Sequence, residues 1–139
     1  MPDNLKKLRD LTVSIEKNEA EEVKQHIIDE MFIWEEFYNL LAVPICISSI
    51  DGYFKKINQC FCDLLGYTSE ELLTKPYSYL VHPDDIEGLE RETLTLGHNT
   101  TTKDYSNRYR KSNGAYIELR WIAATIAEGL AICTVDVIK

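Results

Sequence analysis

Apolar and polar positions change their spacing twice along this chain. The first forty residues contain no glycine, and their only proline is Pro2. In VKQHIIDEMFIWEEFYNLL, apolar residues fall at Val23, Ile27, Met31, Trp34, Tyr38 and Leu41, in steps of four, four, three, four and three. That spacing predicts a helix with one apolar stripe. Ile28, Phe32 and Phe37 widen the stripe beyond what a helix in open solvent would carry. Leu5, Leu8, Leu11 and Ile15 form a shorter stripe upstream, and the charged EKNEAEE lies between the two. Two helices jointed near residues 17–21 satisfy this pattern, and so does one long helix whose seam shifts there. Stripes this short do not establish a coiled coil. They predict an adhesive helical arm.

The texture changes at Pro44. VPICISSI is apolar and rich in β-branched residues, Asp51-Gly52 follows, and YFKKI comes next. Two short strands around an Asp-Gly pair predict a hairpin. NQCFCDLLG reads as a short helix with Asn58 as its N-cap and Gly66 as its stop. Thr68-Ser69-Glu70-Glu71 can cap a second short helix ending near Lys75-Pro76. A longer helical segment runs from Pro83 to about Leu96 and is closed by Gly97. Three strands finish the chain. The first spans about Thr102 to Lys111 and turns at Asn113-Gly114; the second is YIELRWIAATI; Glu128-Gly129 turns it into LAICTVDVI. In the second strand Ile117, Leu119, Trp121 and Ala123 share one face, and Glu118 and Arg120 point the other way. The order is helical arm, two strands, three or four helices, three strands. It predicts an α+β domain with an antiparallel sheet.

Composition narrows the partners. The chain has 139 residues, 45% of them apolar, enough for one domain with its own core. Net charge is -8, and such a surface repels phosphate backbones and anionic lipid, so no nucleic-acid partner is expected. No apolar run reaches the ~20 residues of a membrane span, and MPDNLKKLRDL lacks a signal-peptide core. The expected location is the cytoplasm, where Cys46, Cys60, Cys62 and Cys133 are expected to be small core or surface residues. Asn99-Thr100-Thr101 fits a glycosylation sequon but there marks only a polar turn.

Reactive constellations are few. His82 stands two residues before Asp84 and Asp85, which suggests a hydrolytic metal site or an acid–base pair. The competing reading is a helix start: Pro83 at the first helical position, where its missing N–H costs nothing, His82 at the cap, and both aspartates in the first turn. Cys60 and Cys62 are two apart on a predicted helix and do not share a face, so they cannot easily hold one metal. His26 lies on the arm and His98 in a polar loop. No phosphate-binding glycine loop, nucleophile elbow or His-Glu-x-x-His motif occurs, so an enzymatic function has no motif behind it.

From about Phe37 to Lys139 the ordered pieces VPICISSIDGYFKKIN, NQCFCDLLGYTSEELL, YLVHPDD, YRKSNGAYIELRW and CTVDVI resemble a PAS domain of bacterial sensor proteins. The resemblance implies a five-stranded antiparallel sheet in order B-A-I-H-G with short helices on one face. Residues 1–36 would be an arm packing on the other face or against a second subunit. It also implies a sensory or dimerising module without catalysis. Its output domain would be of histidine kinase (two-component), diguanylate cyclase or transcriptional type. The chain stops at Lys139, where the family continues into a signalling helix, so a longer regulator is expected. Many members end the last strand in Asp-x-Thr, which couples the sheet to that helix. Asp136 matches, and Ile138 replaces the threonine.

The resemblance also bears on cofactors. Flavin photoreceptors of the family carry a reactive cysteine where this chain has Tyr77, so adduct chemistry is not expected. Haem sensors carry a histidine in the long helix, near Glu90 here, and IEGLERETLTL has none. Non-covalent flavin, or haem held differently, stays open beside the expectation of no cofactor. Phe61, Leu65, Tyr79, Leu80, Trp121 and Ile132 are candidates to line a small-molecule pocket, or they fill the core. A buried Trp121 indole needs a partner, either a ligand or a backbone carbonyl. A homodimer through Val23, Ile27, Met31, Trp34 and Tyr38 is expected, with Asp136 as the coupling position. The alternative function is a constitutive interaction domain with a filled core.

Overall fold

The computed structural model describes residues 3–95 and 101–139, with the side chains of all of these except residues 95 and 102–104. The expected stop at Gly97, His98 and the Asn99-Thr100 pair lie outside the described residues. Contacts divide the chain into residues up to Phe37 and Tyr38–Lys139.

The arm is one helix, α1 (Asp3–Leu40), rather than two. Nothing between its ends breaks it: EKNEAEE is built of glutamate, lysine, alanine and asparagine, mostly good helix formers, with no glycine or proline. The seam shifts without a joint. Val23, Ile27, Met31 and Trp34 are all exposed on the single chain. Helix formation stops before Pro44, whose ring disfavours helical backbone at Val43.

The remaining elements are β1 (Ile45–Ser49), β2 (Phe54–Ile57), α2 (Gln59–Leu65), α3 (Ser69–Thr74), α4 (Ile86–Thr95), β3 (Thr101–Arg110), β4 (Tyr116–Ala127) and β5 (Leu130–Val137), with 3-10 turns at Tyr77–Tyr79 and Pro83–Asp85. The sheet order is β2-β1-β5-β4-β3, antiparallel throughout. This is the order the resemblance implied. Along β4, Leu119 and Trp121 are buried and Glu118 and Arg120 exposed, as the alternation predicts. Cys46, Phe61, Leu65, Leu72, Leu119 and Ala131 are among the side chains that fill the core on this face.

Two local devices fix the helices. Asn58 is fully buried and caps α2: its Oδ1 accepts from Phe61 N (3.1 Å) and also from Ile45 N (3.0 Å). Its Nδ2 donates to Tyr38 O (3.1 Å) and Val43 O (2.8 Å). One amide thus joins the end of α1, β1 and α2, with every donor and acceptor used. At the other end of α2, Gly66 is left-handed (φ +84°) and its N–H donates to Cys62 O (2.8 Å). An added Cβ there would overlap Ser112 Oγ, because Ser112 N–H donates to Leu65 O (2.9 Å) and holds the β3–β4 turn close.

The segment around His82 covers the edge strand β3. His82 N–H donates to Arg108 O (2.9 Å) and Arg110 N–H donates to Leu80 O (2.8 Å). Asp85 Oδ2 accepts from Arg108 N (2.8 Å) and Nε (3.0 Å), and Oδ1 accepts from Nη2 (2.9 Å). An edge strand offers unpaired backbone groups, and this segment occupies them.

Candidate functional site

A cavity of about 60 Å³ lies between α4, the Tyr77 turn and the core face of the sheet. Phe54, Tyr109 and Trp121 give it aromatic walls, and Leu89, Glu92 and Thr93 face it from α4. The α4 side chains and Tyr105 are only half-buried, so among the described residues the cavity is not sealed from solvent.

Its polar groups form short chains. Trp121 Nε1 donates to Asn107 Oδ1 at 2.7 Å, and Asn107 Nδ2 donates to Tyr105 OH at 3.4 Å. The indole partner is therefore a side chain, neither the ligand nor the backbone carbonyl expected. Tyr77 OH donates to Ser49 O (2.9 Å) and lies 3.4 Å from Thr93 Oγ1. Ser48 Oγ is 3.1 Å from Cys133 Sγ. Burial raises the Tyr77, Tyr105 and Tyr109 phenols above the ordinary tyrosine range. They stay protonated near neutral pH, and Glu92 brings the carboxylate of the lining.

Only Trp121 of the six expected lining residues lines this cavity. Phe61, Leu65 and Leu80 are buried as core filling instead; Phe61 packs on Phe54 and Trp121 with ring centroids 5.6 and 6.1 Å apart. Tyr79 is 56% exposed, with Lys75 Nζ 4.6 Å and Arg110 Cζ 5.4 Å from its ring. Ile132 is 39% exposed because β5 turns Ala131, Cys133 and Val135 inward and Ile132 to the opposite face. Asn107, Tyr105, Ser48, Thr93 and Tyr77 were missed. The available signal was the alternation Tyr105, Asn107, Tyr109 in β3, which sets an amide between two inward aromatics.

Other candidates fall elsewhere. Tyr38 is half-buried, and its OH donates to Ile45 O (3.0 Å), which fastens the end of α1 to β1. Asp136 is exposed at the end of β5, opposite Arg120. His82 Nδ1 accepts from Asp84 N (3.1 Å), which requires that nitrogen unprotonated, and the ring lies edge-on to Tyr116. Asp85 is committed to Arg108, and the exposed Asp84 carboxylate lies 3.9 Å from His82 Nδ1 and 4.0 Å from Arg108 Nη2, so the trio forms a helix start with His82 as its cap. Among the described residues no group of three or more His, Cys, Asp or Glu could hold a metal. No helix among them is long and apolar enough to cross a membrane.

This cavity under a short helix, walled by a five-stranded sheet of that order, can be set beside known families. The sequence pattern described as PAS domain matches residues 42–135. The chain belongs to the PAS domain family. PAS domains are sensory modules and not catalysts. No protein with a curated description matches this PAS sequence. Solved PAS structures similar to it include the PAS domain of an HTR-like protein from Haloarcula marismortui. That domain has a TM-score of 0.71 and 16% identity, with 85% of this chain and 99% of that one covered. A domain of a sensory box sensor histidine kinase/response regulator from Geobacter sulfurreducens gives 0.66 and 15%, covering 78% and 95%. The wild-type PAS-B domain of Drosophila melanogaster Cycle, with bound ethylene glycol, gives 0.61 and 20%, covering 68% and 99%. At these identities the likeness shows the fold.

Cofactor-sized ligands do not fit the cavity as it stands. Pockets for them span roughly 300–1,000 Å³, several times its volume of about 60 Å³. A flavin would have to displace core side chains. Among the described residues no histidine lines the cavity to hold a haem iron.

Proposed function

We propose that residues 37–139 are the sensory PAS domain of a multidomain signalling protein of histidine-kinase or diguanylate-cyclase type. Residues 1–36 are its dimerisation arm. The signal is an uncharged molecule of a few heavy atoms carrying a hydroxyl or amide. The observation that carries this reading is the cavity, with a buried Asn107–Trp121 pair and protonated phenols around a small volume. The Cycle domain of the same fold was solved with a diol of this size. Binding would favour one packing of α4 on the sheet over another, and Asp136 at the end of β5 would pass that difference on.

Thermal melting against a panel of small alcohols, amides and carboxylates tests the ligand. A neutral compound should raise the melting temperature with concentration by mass action. Ala123→Ile, which narrows the cavity, should abolish the effect. Equal shifts in wild type and variant would sink the reading. For the arm, sedimentation should show a dimer that Ile27→Glu with Met31→Glu converts to monomer; a wild-type monomer at high concentration rejects it.

One observation favours a second reading, a constitutive interaction domain. Every buried side-chain nitrogen and oxygen among the described residues already has a hydrogen-bond partner. That reading predicts no melting shift with any small ligand.

A further inference from the structure

Two cysteines face each other at the centre of the sheet. Cys46 on β1 is directly opposite Cys133 on β5. Ile50 N–H donates to Gly129 O at 2.9 Å. Stepping back two residues at a time along both strands makes Cys46 and Cys133 a hydrogen-bonded pair, whose Cα atoms lie about 5.5 Å apart. A disulfide spans Cα separations of about 4.4–6.8 Å and Cβ separations of about 3.5–4.5 Å; opposed Cβ atoms of a hydrogen-bonded pair start near about 5.5 Å, so β1 and β5 must draw together by about 1 Å as the bond forms. Both side chains point to the core face, with exposures of 0% and 4%, and neither is in a disulfide. Cys133 Sγ has Ser48 Oγ at 3.1 Å beside it.

Buried cysteines are usually inert core residues. Cys62 fits that description: it is buried on α2, and burial raises its thiol. The Cys46–Cys133 pair differs in two respects. Each thiol has the other as a ready partner, and Cys133 lines the cavity, so a molecule of peroxide size can reach it without unfolding the sheet. Such a molecule needs little more room than a water, roughly 10–15 Å³. Cys133 borders the cavity, whereas Cys46 is fully buried and does not line it. That assigns Cys133 as the attacking sulfur.

We propose that Cys46 and Cys133 are an oxidisable dithiol that hydrogen peroxide, entering by the cavity, converts into a cross-strand disulfide. The Cys133 thiolate attacks one peroxide oxygen, the O–O bond breaks, and a sulfenic acid and hydroxide form. The Cys46 sulfur then attacks the sulfenic sulfur, giving up its proton as the S–S bond forms and water leaves. Two thiols and one peroxide yield one disulfide and two waters. The sulfurs lose two electrons and the peroxide gains them. The bond would staple β1, the strand that follows α1, to β5, the last strand of the domain. It would also remove the Ser48–Cys133 hydrogen bond from the cavity wall. The inference uses the cavity as a route and stands apart from the small-molecule reading.

The test is peroxide treatment of the whole folded chain, removal of the oxidant, unfolding in iodoacetamide, and mass spectrometry of a non-reduced digest. A Cys46–Cys133 linked peptide is expected, with Cys60 and Cys62 alkylated and the Cys60→Ser/Cys62→Ser double variant forming the same link. That variant keeps the test valid even where Cys46→Ser or Cys133→Ser fails to fold. Links through Cys60 or Cys62, all four thiols alkylated after native treatment, or Cys133 carried to sulfinic acid without a link would each overturn the proposal.

Discussion

Replacing Asn58 by alanine removes four hydrogen bonds at a site with no access to solvent. The N–H groups of Ile45 and Phe61 lose their acceptor, and the carbonyls of Tyr38 and Val43 lose their donor. Each bond is worth about 1 kcal/mol net, and an orphaned buried group costs about 1–3 kcal/mol. Loss of an N-cap alone costs about 1 kcal/mol. A water entering the vacated amide volume would recover part of this. The expected loss is therefore about 3–4 kcal/mol, read as a fall in the urea midpoint at unchanged slope. Asn58→Asp is the informative comparison. It keeps both acceptor roles but turns a carboxylate oxygen toward two carbonyls. Burial without a partner raises such a carboxyl, so this variant should gain stability as pH falls and the carboxyl becomes a donor. A cost below about 1 kcal/mol for Asn58→Ala would mean that this amide does not hold the three elements together.

Two further changes test the scaffold. The Arg108 guanidinium holds the Asp85 carboxyl below the usual carboxylate range. Its stabilisation is complete above the ordinary value of about 3.9 and is lost as pH falls through the lowered one. Asp85→Asn should thus be less stable than wild type at pH 7, and denaturation at successively lower pH should show the gap closing; a constant gap contradicts the ion pair's role. Gly66→Ala forces a side chain into left-handed backbone and onto Ser112 Oγ. It should cost more than the ~1 kcal/mol of a left-handed residue alone, with Ser112→Ala recovering part of the loss in the double-mutant melt.

Local chemistry carried the element order into the sequence, and the places where it failed have physical causes. Asn58 and Gly66 announce the ends of α2, and Pro83 with its two aspartates announces a helix start, because caps are written within a few residues. The unbroken α1 follows from the absence of any breaker near residues 17–21. The cavity was poorly legible because it depends on which face each strand turns inward. LAICTVDVI is apolar at nearly every position, so Ile132 could be read inside when Ala131 and Cys133 take that side. Tyr79 looked like a pocket aromatic, yet the turn after Pro76 buries Tyr77 and leaves Tyr79 outside under Lys75 and Arg110. The Asn107–Trp121 and Cys46–Cys133 pairs join residues far apart in sequence, and only strand register brings them together.

The sensory reading rests on the cavity, and its wall carries its own reporter. The chain has two tryptophans, Trp34 on the exposed arm and Trp121 at the cavity. Their indole N–H signals can be followed by ¹⁵N NMR while the whole protein is titrated with ethylene glycol and with acetamide. One of these ligands should move the Trp121 indole signal along a saturating curve and leave Trp34 in place. Neither signal moving, or both drifting linearly without saturation, would contradict the sensory reading.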